Sequence, residues 1–450
     1  MNASKVIGLA MSCRSTRGCR SLGKTTIPLV VLGAIVGLGA AVAVWRGGWP
    51  DDASAAAWER QARLAIRAQR WDEAEAALER LSRTPDWVLL RAEVALGRGR
   101  PEEALRWVAE VSPSDPRAGR AWILAGQAEL RASRLARAER RFLDALAVAG
   151  EGTAPEESLG IEVAARRGLI YVYGMQARRR ELDEQFRKLA EVAGLSFHEM
   201  LVWTLALEDI WINTGVRADL ERIVAADPED RWSRLALAEV LLRAGELEAS
   251  ESVLADLPET DPEARVLRAR LAWHRSDLEE AERLVAEGPD NNPDRQRLRG
   301  QLALRRGDLS RAVEAFRASL DRDPANVEAL QGLALALRRQ GKTEQADEVN
   351  RAAERHRALT AILELCRSEQ NRADPSLPPR LAAACEAIGR LDLARGWYRA
   401  ALATNPTDPA IQSALRRLQH AETESDPADG RSARDGSVGG SEGLTGPVRL

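Results

Sequence analysis

The strongest constraint on the fold is a repeat. From Ala53 to about Ala421, small residues recur roughly every 31 to 36 residues along amphipathic segments that short turns separate. A helix pair with one apolar face cannot bury that face alone, so successive pairs stack into a continuous core. Ala, Leu, Arg and Glu dominate the 450 residues, and aromatic residues make up only 4%. This composition favours an all-α chain over a β-sandwich or barrel.

The clearest unit is Pro293–Pro324, and it resembles the tetratricopeptide repeat. Its residues at fixed offsets are Gly300, Ala303, Gly307, Leu309, Ala312, Phe316 and Pro324. In that family a small residue at position 8 and an alanine at position 20 lie where paired helices cross. A large residue at position 24 packs into the next unit, and proline at position 32 ends the second helix. The resemblance therefore assigns Gly300, Ala312 and Phe316 to repeat packing.

Other units repeat these offsets less fully. The packing residues that they add are Gly126, Ala138, Ala346, Ala382, Ala394 and Tyr398. About 80% of the chain is covered, which implies a right-handed superhelical solenoid of helix-turn-helix repeats over residues 54–421. Within it, residues 155–227 keep a helical period but lose the small residues, which predicts two atypical units. We also predict a helical insertion at about 354–370 and a polar-faced capping helix at about 408–421.

The segment before the repeats has the pattern of a membrane anchor. Residues 1–24 carry five basic residues and no acid, and the 21 residues from Thr25 to Trp45 carry no charge. A helix of that length spans the roughly 30 Å hydrocarbon core. The sequence therefore predicts a transmembrane helix at 25–46 and a linker at 47–53. The positive-inside rule places the N-terminus in the cytoplasm, so the repeats would lie outside it at the inner membrane.

A cleaved signal peptide is the alternative to this anchor. Ala41-Val42-Ala43 forms an A-x-A cleavage site. Cleavage there would release a secreted or periplasmic protein that binds a solute or polymer. After the repeats, residues 422–450 are rich in Gly, Ser and Asp and poor in apolar residues, which predicts a disordered tail.

The sequence contains no recognisable catalytic constellation. The four His lie on separate units, and H-E-x-x-H, G-x-S-x-G and C-x-x-C are all absent. Gly18 to Thr25 fits the phosphate-binding loop pattern, but no apolar strand precedes it. We therefore expect no enzyme activity, no cofactor and no metal ion. A formal net charge of −3 gives no reason to expect nucleic-acid binding. An array that regulates an enzyme is a minor alternative.

In the family that the chain resembles, positions 2, 5, 9, 12 and 13 of the first helix face a concave groove that binds peptides or partner helices. Carried over to this chain, the groove residues are Trp232, Glu239, Arg243, Arg270, Trp273, His274, Arg297, Gln301, Arg305, Gln331 and Arg338. Guanidinium groups bind carboxylates in a bidentate manner. The groove is therefore predicted to bind an acidic segment or a C-terminal carboxylate. The alternative is that arginine appears on every face of an arginine-rich chain.

Two cysteines flank the turn at Asp374-Pro375. Cys366 lies about eight residues before it and Cys385 about ten residues after it. Residues equidistant from the turn of an antiparallel helix pair face each other, and an oxidising compartment would permit a disulfide. Two buried thiols are the alternative. For the whole chain, the sequence favours a membrane-anchored interaction scaffold for envelope assembly, secretion or quality control.

Overall fold

The chain is described by a computed structural model, which covers residues 55–149, 154–208, 216–286, 291–366 and 368–425. Over this part of the chain there are twenty-two helices and no strand. The predicted all-α fold is therefore confirmed. Two compact units are present, one up to Arg357 and one from Ala358.

The helices of the first unit form successive antiparallel pairs. In chain order they are α1 (Ala55–Arg67), α2 (Trp71–Leu78), α3 (Pro85–Gly97), α4 (Pro101–Val108), α5 (Ala118–Arg131), α6 (Leu135–Val148), α7 (Pro155–Met175), α8 (Arg179–Val192), α9 (Phe197–Leu207), α10 (Arg217–Ala226), α11 (Arg231–Arg243), α12 (Leu247–Ala255), α13 (Pro262–His274), α14 (Leu278–Ala286), α15 (Pro293–Arg306), α16 (Leu309–Leu320) and α17 (Val327–Arg339).

The second unit is smaller. The helix α18 (Thr343–Leu365) contains the boundary at Arg357. It is followed by α19 (Glu369–Arg372), α20 (Leu377–Ala387), α21 (Leu391–Thr404) and α22 (Pro409–Ser425). In this unit α20 packs against α21, and α21 packs against α22. Trp397 on α21 is fully buried, so this unit has an aromatic core of its own.

Repeated side-chain caps set where the first helices of the repeats begin. Asp261, Asn292 and Asn326 each precede a first helix and accept a hydrogen bond from the backbone N–H three residues later, at 2.8, 3.0 and 2.9 Å. Such a cap satisfies one of the backbone donors that a helix start leaves without an intrahelical partner. Proline follows at the first helical position in α13 and α15, where its missing N–H costs nothing.

A residue in the left-handed region joins the two helices of most repeats. Gly307, between α15 and α16, has φ of 81°, and Ala177, between α7 and α8, has φ of 55°. The other residues of this kind are Gln69, Gly99, Ser133, Gly245, Ser276, Gly341 and Gly389. A side chain with a Cβ is disfavoured in this conformation. The backbone at Ala177 is therefore less relaxed than at Gly307.

Two phenylalanine rings each lie between a pair of glycines from neighbouring repeats. Phe316 is fully buried, and a Cβ added at Gly300 would approach its ring to 2.7 Å. The same ring touches Gly332 of the next repeat. Phe142 likewise packs between Gly126 and Gly168. Each ring fills the space that the two glycines leave. The two repeats therefore pack together at the density of a protein interior.

The predicted packing residues are buried at these crossings. Five alanines have no exposed surface, and Tyr398 is 7% exposed. The five alanines are Ala138, Ala312, Ala346, Ala382 and Ala394. Ser250 occupies the alanine position in α12, and its hydroxyl donates to the Ala238 carbonyl at 2.8 Å. The hydroxyl is therefore satisfied within the helix pair.

The atypical segment retains one glycine that the sequence analysis missed. Residues 155–226 contain the four helices α7 to α10, and Gly168 on α7 receives the Phe142 ring. If the repeat spacing were constant, the residue in contact with Phe142 would be Gly160. A Cβ added at Gly160, however, would meet no atom within 4 Å. α7 has 21 residues, so the contact lies two turns further along the helix. The statement that this segment loses its small residues is therefore wrong.

The predicted insertion at 354–370 is not a separate helix. α18 continues unbroken for 23 residues, since no Gly or Pro interrupts it. At the C-terminus, α22 extends to Ser425, beyond the expected end at 421. The leader, the membrane helix at 25–46, the linker at 47–53 and the tail from 426 lie outside the described residues. Within the described ranges, no helix is both long and apolar enough to cross a bilayer.

Two contacts join distant parts of the first unit. The His356 Nδ1 atom lies 2.9 Å from a Glu208 carboxylate oxygen in a buried pair, and the two residues are 148 positions apart. The Arg179 guanidinium lies 3.2 Å from the Asp323 carboxylate, across 144 positions. The packing of this unit therefore goes beyond contacts between neighbouring repeats.

We predict that Ala312→Leu destabilises the array by about 1–3 kcal/mol, because the crossing has no room for a larger side chain. Urea unfolding followed by far-UV circular dichroism measures the change. Arg317→Leu, at an exposed position of the same helix, is the control and should change the stability little. Equal stabilities of the Ala312 variant and the wild type would contradict the close crossing at α16.

We predict the opposite sign for Ala177→Gly. Glycine removes the Cβ that disfavours a positive φ, so the unfolding free energy should rise by about 1 kcal/mol. Gly307→Ala is the reciprocal variant and should lower it by a similar amount. Calorimetric melting of the two proteins provides the measurement, and a lower melting temperature for Ala177→Gly would refute the assigned turn.

Candidate partner-binding groove

The predicted groove residues lie on four first helices. The helices α11, α13, α15 and α17 pack directly against one another in sequence order. Trp232, Glu239 and Arg243 lie on α11, and Arg270, Trp273 and His274 on α13. α15 carries Arg297, Gln301 and Arg305, and α17 carries Gln331 and Arg338. Their accessibility divides them into a covered section and an open section.

Four of the predicted residues surround one cavity of about 140 Å³. They are Trp232, Glu239, Arg243 and Arg270, and Asp294 also lines the cavity. This volume accommodates one side chain or a small solute, since drug-sized pockets begin at about 300 Å³. The covered section therefore does not offer an extended channel for a peptide.

The turn between α7 and α8 covers this section. The Gln176 side-chain amide donates to the Asp230 carboxylate at 3.1 and 3.2 Å. The Arg178 guanidinium lies 4.8 Å from the centre of the Trp232 ring, and Arg179 pairs with Asp323. Gln176, Ala177 and Arg179 line the cavity opposite the groove residues. A turn of the same chain thus occupies the place where the resemblance implied an open groove.

Glu239 is the central charge of the covered section. It is 8% exposed and accepts hydrogen bonds from Arg270 and, at 2.5 Å, from Arg243. Burial alone would raise the pKa of Glu239, but the two guanidinium groups outweigh burial and lower the pKa. The carboxylate therefore stays ionised, and it neutralises Arg270 from within the protein.

Arg297 is engaged in the same way. It is 8% exposed, lies 3.1 Å from Asp294 and also pairs with Glu328 of the next repeat. Burial opposes ionisation of Asp294, yet Arg297, Arg270 and Arg179 hold its pKa well below the usual range. Arg270 and Arg297 therefore serve the packing of the array. A ligand carboxylate could reach either one only by displacing an internal partner.

The open section begins at the C-terminal end of α13. The Arg305 guanidinium lies 5.6 Å from the centre of the half-buried Trp273 ring. His274, Arg305, Gln331 and Arg338 are exposed, and Gln301 is partly exposed. Arg338 pairs with Asp347 at 2.8 Å. Leu335 on α17 is 44% exposed and adds an apolar contact surface that the sequence analysis did not list.

Cys366 and Cys385 of the second unit are both buried, and neither is part of a disulfide. The bridge that the sequence allowed between Cys366 and Cys385 is therefore absent from the structure. Burial raises the pKa of the Cys366 thiol, which keeps it protonated and less reactive toward oxidation. Among the described residues, no cluster of three or more His, Cys, Asp or Glu side chains is arranged to hold a metal ion.

We predict that Glu239→Gln costs about 3–5 kcal/mol at neutral pH, because it leaves a buried guanidinium without its carboxylate. The folded-state pKa of Glu239 is lowered, so its contribution exists above the unfolded-state pKa and disappears as the pH falls through the folded-state pKa. The stability gap to wild type should therefore shrink toward about pH 3. Denaturant unfolding across this pH range provides the measurement.

Glu280→Gln is the matched control, because Glu280 pairs with Arg283 on an exposed face of α14. An exposed pair contributes about 0–1 kcal/mol. Equal losses in the two variants would contradict the role assigned to Glu239.

Sequence profiles of the tetratricopeptide repeat match residues 59–114, 89–154, 215–271 and 297–376. Together these stretches cover just over half of the chain. The residues that close the cavity, Gln176 and Arg179, lie outside all four stretches. Because these two residues lie outside the repeat pattern, the sequence did not predict that they line the groove. A search among curated proteins finds no match to the chain.

The solved structures that match this chain share little sequence with it. The crystal structure of the APC/C hetero-tetramer Cut9–Hcn1 is 12% identical, covers 82% of this chain and 90% of that chain, and has a TM-score of 0.34. The human IFIT1 dimer with PPP-AAAA is 14% identical, with coverage of 78% and 97% and a TM-score of 0.32.

A tetratricopeptide repeat protein from Parabacteroides merdae is 15% identical to this chain. The match covers 56% of this chain and 98% of that protein, with a TM-score of 0.28. TM-scores this low support no conclusion about function. The repeat family rests instead on the matched profiles and on the stacked helix pairs with their buried Gly and Ala crossings. This chain is a tetratricopeptide repeat protein.

Proposed function

We propose that this protein is a membrane-anchored scaffold that binds a partner protein through the open section of its groove. The observation that carries the proposal is the exposed surface formed by Trp273, His274 and Arg305 beside Gln331 and Leu335. It combines an aromatic ring, an apolar side chain and a guanidinium. Trp and Arg are enriched among the residues that dominate binding energy at protein interfaces.

The covered section supports this choice of surface. Glu239 is buried with internal partners, and half-buried Trp232 lies against Arg178 of the covering turn. A partner that binds without rearranging the protein would therefore contact α13, α15 and α17. Tetratricopeptide repeats typically bind other proteins or peptides, and no catalytic role is proposed for any residue.

The proposed location follows from the sequence before the repeats. The uncharged run at Thr25–Trp45 and the basic leader before it have the pattern of an N-terminal anchor with a cytoplasmic start. The array would then act outside the cytoplasm, in envelope assembly, secretion or protein quality control. A secreted form released after Ala43 is the second arrangement that the sequence allows.

Protease accessibility in cells tests this topology. A protease added outside the inner membrane should digest residues 55–425 and leave the residues before Lys24 protected. A cytoplasmic reporter protein that stays intact is the control for membrane integrity. Protection of the whole array would refute the topology. A mature chain that begins near Val44 would favour the secreted form.

Site-specific crosslinking in intact cells tests the proposed surface. A photoreactive amino acid at Gln331 should capture a discrete partner that mass spectrometry identifies. The same group at exposed Arg317, on the second helix α16, is the matched control and should not capture it. Equal capture from both positions would contradict binding through the groove.

A further inference from the structure

The C-terminal ends of successive first helices carry a row of basic side chains, of which Arg305 and Arg339 are permanently charged. His274, Arg305 and Arg339 hold the same register position on α13, α15 and α17, and all three are exposed. Within the described part of the chain, none of the three has a carboxylate partner at ion-pair distance. Exposed Lys342 follows the last of them. We call His274, Arg305 and Arg339 the cation row.

Arg243 holds the same register position on α11, but it lines the cavity of the covered section and pairs with Glu239. The cation row therefore begins at His274 on α13 and follows one edge of the groove along α15 and α17.

The opposite edge of the groove carries acids. Glu263, Asp294 and Glu328 lie at the N-terminal ends of α13, α15 and α17. These acids pair with Arg231 and Arg297, so the positive charge of the groove that has no ion-pair partner lies at the cation row. Two acids that follow His274 and Arg305 along the chain are engaged with backbone donors. Asp277 and Asp308 each accept the backbone N–H of the following helix, at 3.1 and 3.2 Å, where the helix dipole complements their charge.

The spacing of the helices sets the spacing of the ligand charges. The first helices pack directly against one another, and packed helices lie about 8–10 Å apart. An extended chain advances about 3.3 Å per residue. Neighbouring cations of the row therefore match carboxylates about three residues apart in an extended segment.

Arg305 also has an aromatic neighbour. Its guanidinium carbon lies 5.6 Å from the centre of the Trp273 ring, within the range of a cation–π interaction. The guanidinium presents paired donors that match the geometry of a carboxylate.

We propose that the cation row binds an extended acidic segment of a partner protein, with acidic side chains at every third residue. This proposal rests on the proposed scaffold function and specifies the chemistry of its partner. Recognition comes from internal carboxylates along the segment, so a free C-terminus of the ligand is not required.

Synthetic peptides of about twenty residues test the proposed spacing. One peptide has glutamate at every third residue among Gly and Ser. A second has the same composition with its glutamates in two blocks. Fluorescence anisotropy with the purified full-length protein in non-ionic detergent, at physiological salt, measures both affinities. The first peptide should bind about tenfold more tightly, and C-terminal amidation should leave its affinity unchanged.

Charge reversal tests the residues. The variant His274→Glu/Arg305→Glu/Arg339→Glu should weaken binding of the first peptide about tenfold or more. The matched control, Arg317→Glu/Arg322→Glu/Arg351→Glu, reverses three exposed cations outside the first helices and should bind like wild type. Circular dichroism confirms that both variants keep their helices.

Several outcomes would overturn the proposal. Equal affinities for the two peptides would refute the three-residue spacing, and equal losses in the two variants would refute the cation row. A single-stranded oligonucleotide of matched charge that binds more tightly than either peptide would assign the row to another class of ligand. The scaffold function has an independent test, because crosslinking from Gln331 can still capture a partner when the peptides fail to bind.

Discussion

The close approach of helices at residues without a bulky side chain is the constraint on which the array depends. Phe316 touches both Gly300 and Gly332, so one ring fixes the separation of two repeats at once. Phe142 does the same between Gly126 and Gly168. Because the Phe316 contact sets the spacing of α15 and α17, it also sets the distance between functional side chains on these two helices. Packing in the interior thereby determines the geometry of the partner surface.

The sequence predicts the parts of this protein that follow the repeat period. Gly300, Ala312 and Phe316 are identified by their offsets alone, because the chemistry of a close helix crossing admits few residue types. The same offsets locate the first helices and hence the candidate groove. Gly168 shows where this method fails. The 21 residues of α7 move the contact two turns along the helix, and a fixed register then points to the wrong glycine.

The sequence does not show which charged residues of the groove are paired within the protein. In the sequence, Arg270, Arg297 and Arg305 are all arginines at positions that the family directs toward the groove. In the fold, Arg270 pairs with Glu239 of the preceding repeat, Arg297 pairs with Glu328 of the following one, and Arg305 lies beside the Trp273 ring. Only a three-dimensional description separates arginines that hold the array together from one that remains available to a ligand. The covering turn at Gln176–Arg179 could not be predicted either, because it lies in a segment that does not follow the repeat pattern.

The pair formed by His356 and Glu208 has a consequence for how the protein is made. A regular repeat array can fold progressively as it is synthesised, because each repeat needs only its neighbours. Here Glu208 leaves the ribosome 148 residues before its partner, and Arg179 leaves it 144 residues before Asp323. The contact at Glu208 therefore forms only after α18 emerges. A truncated chain that ends before α18 would lack this link between the middle and the end of the first unit.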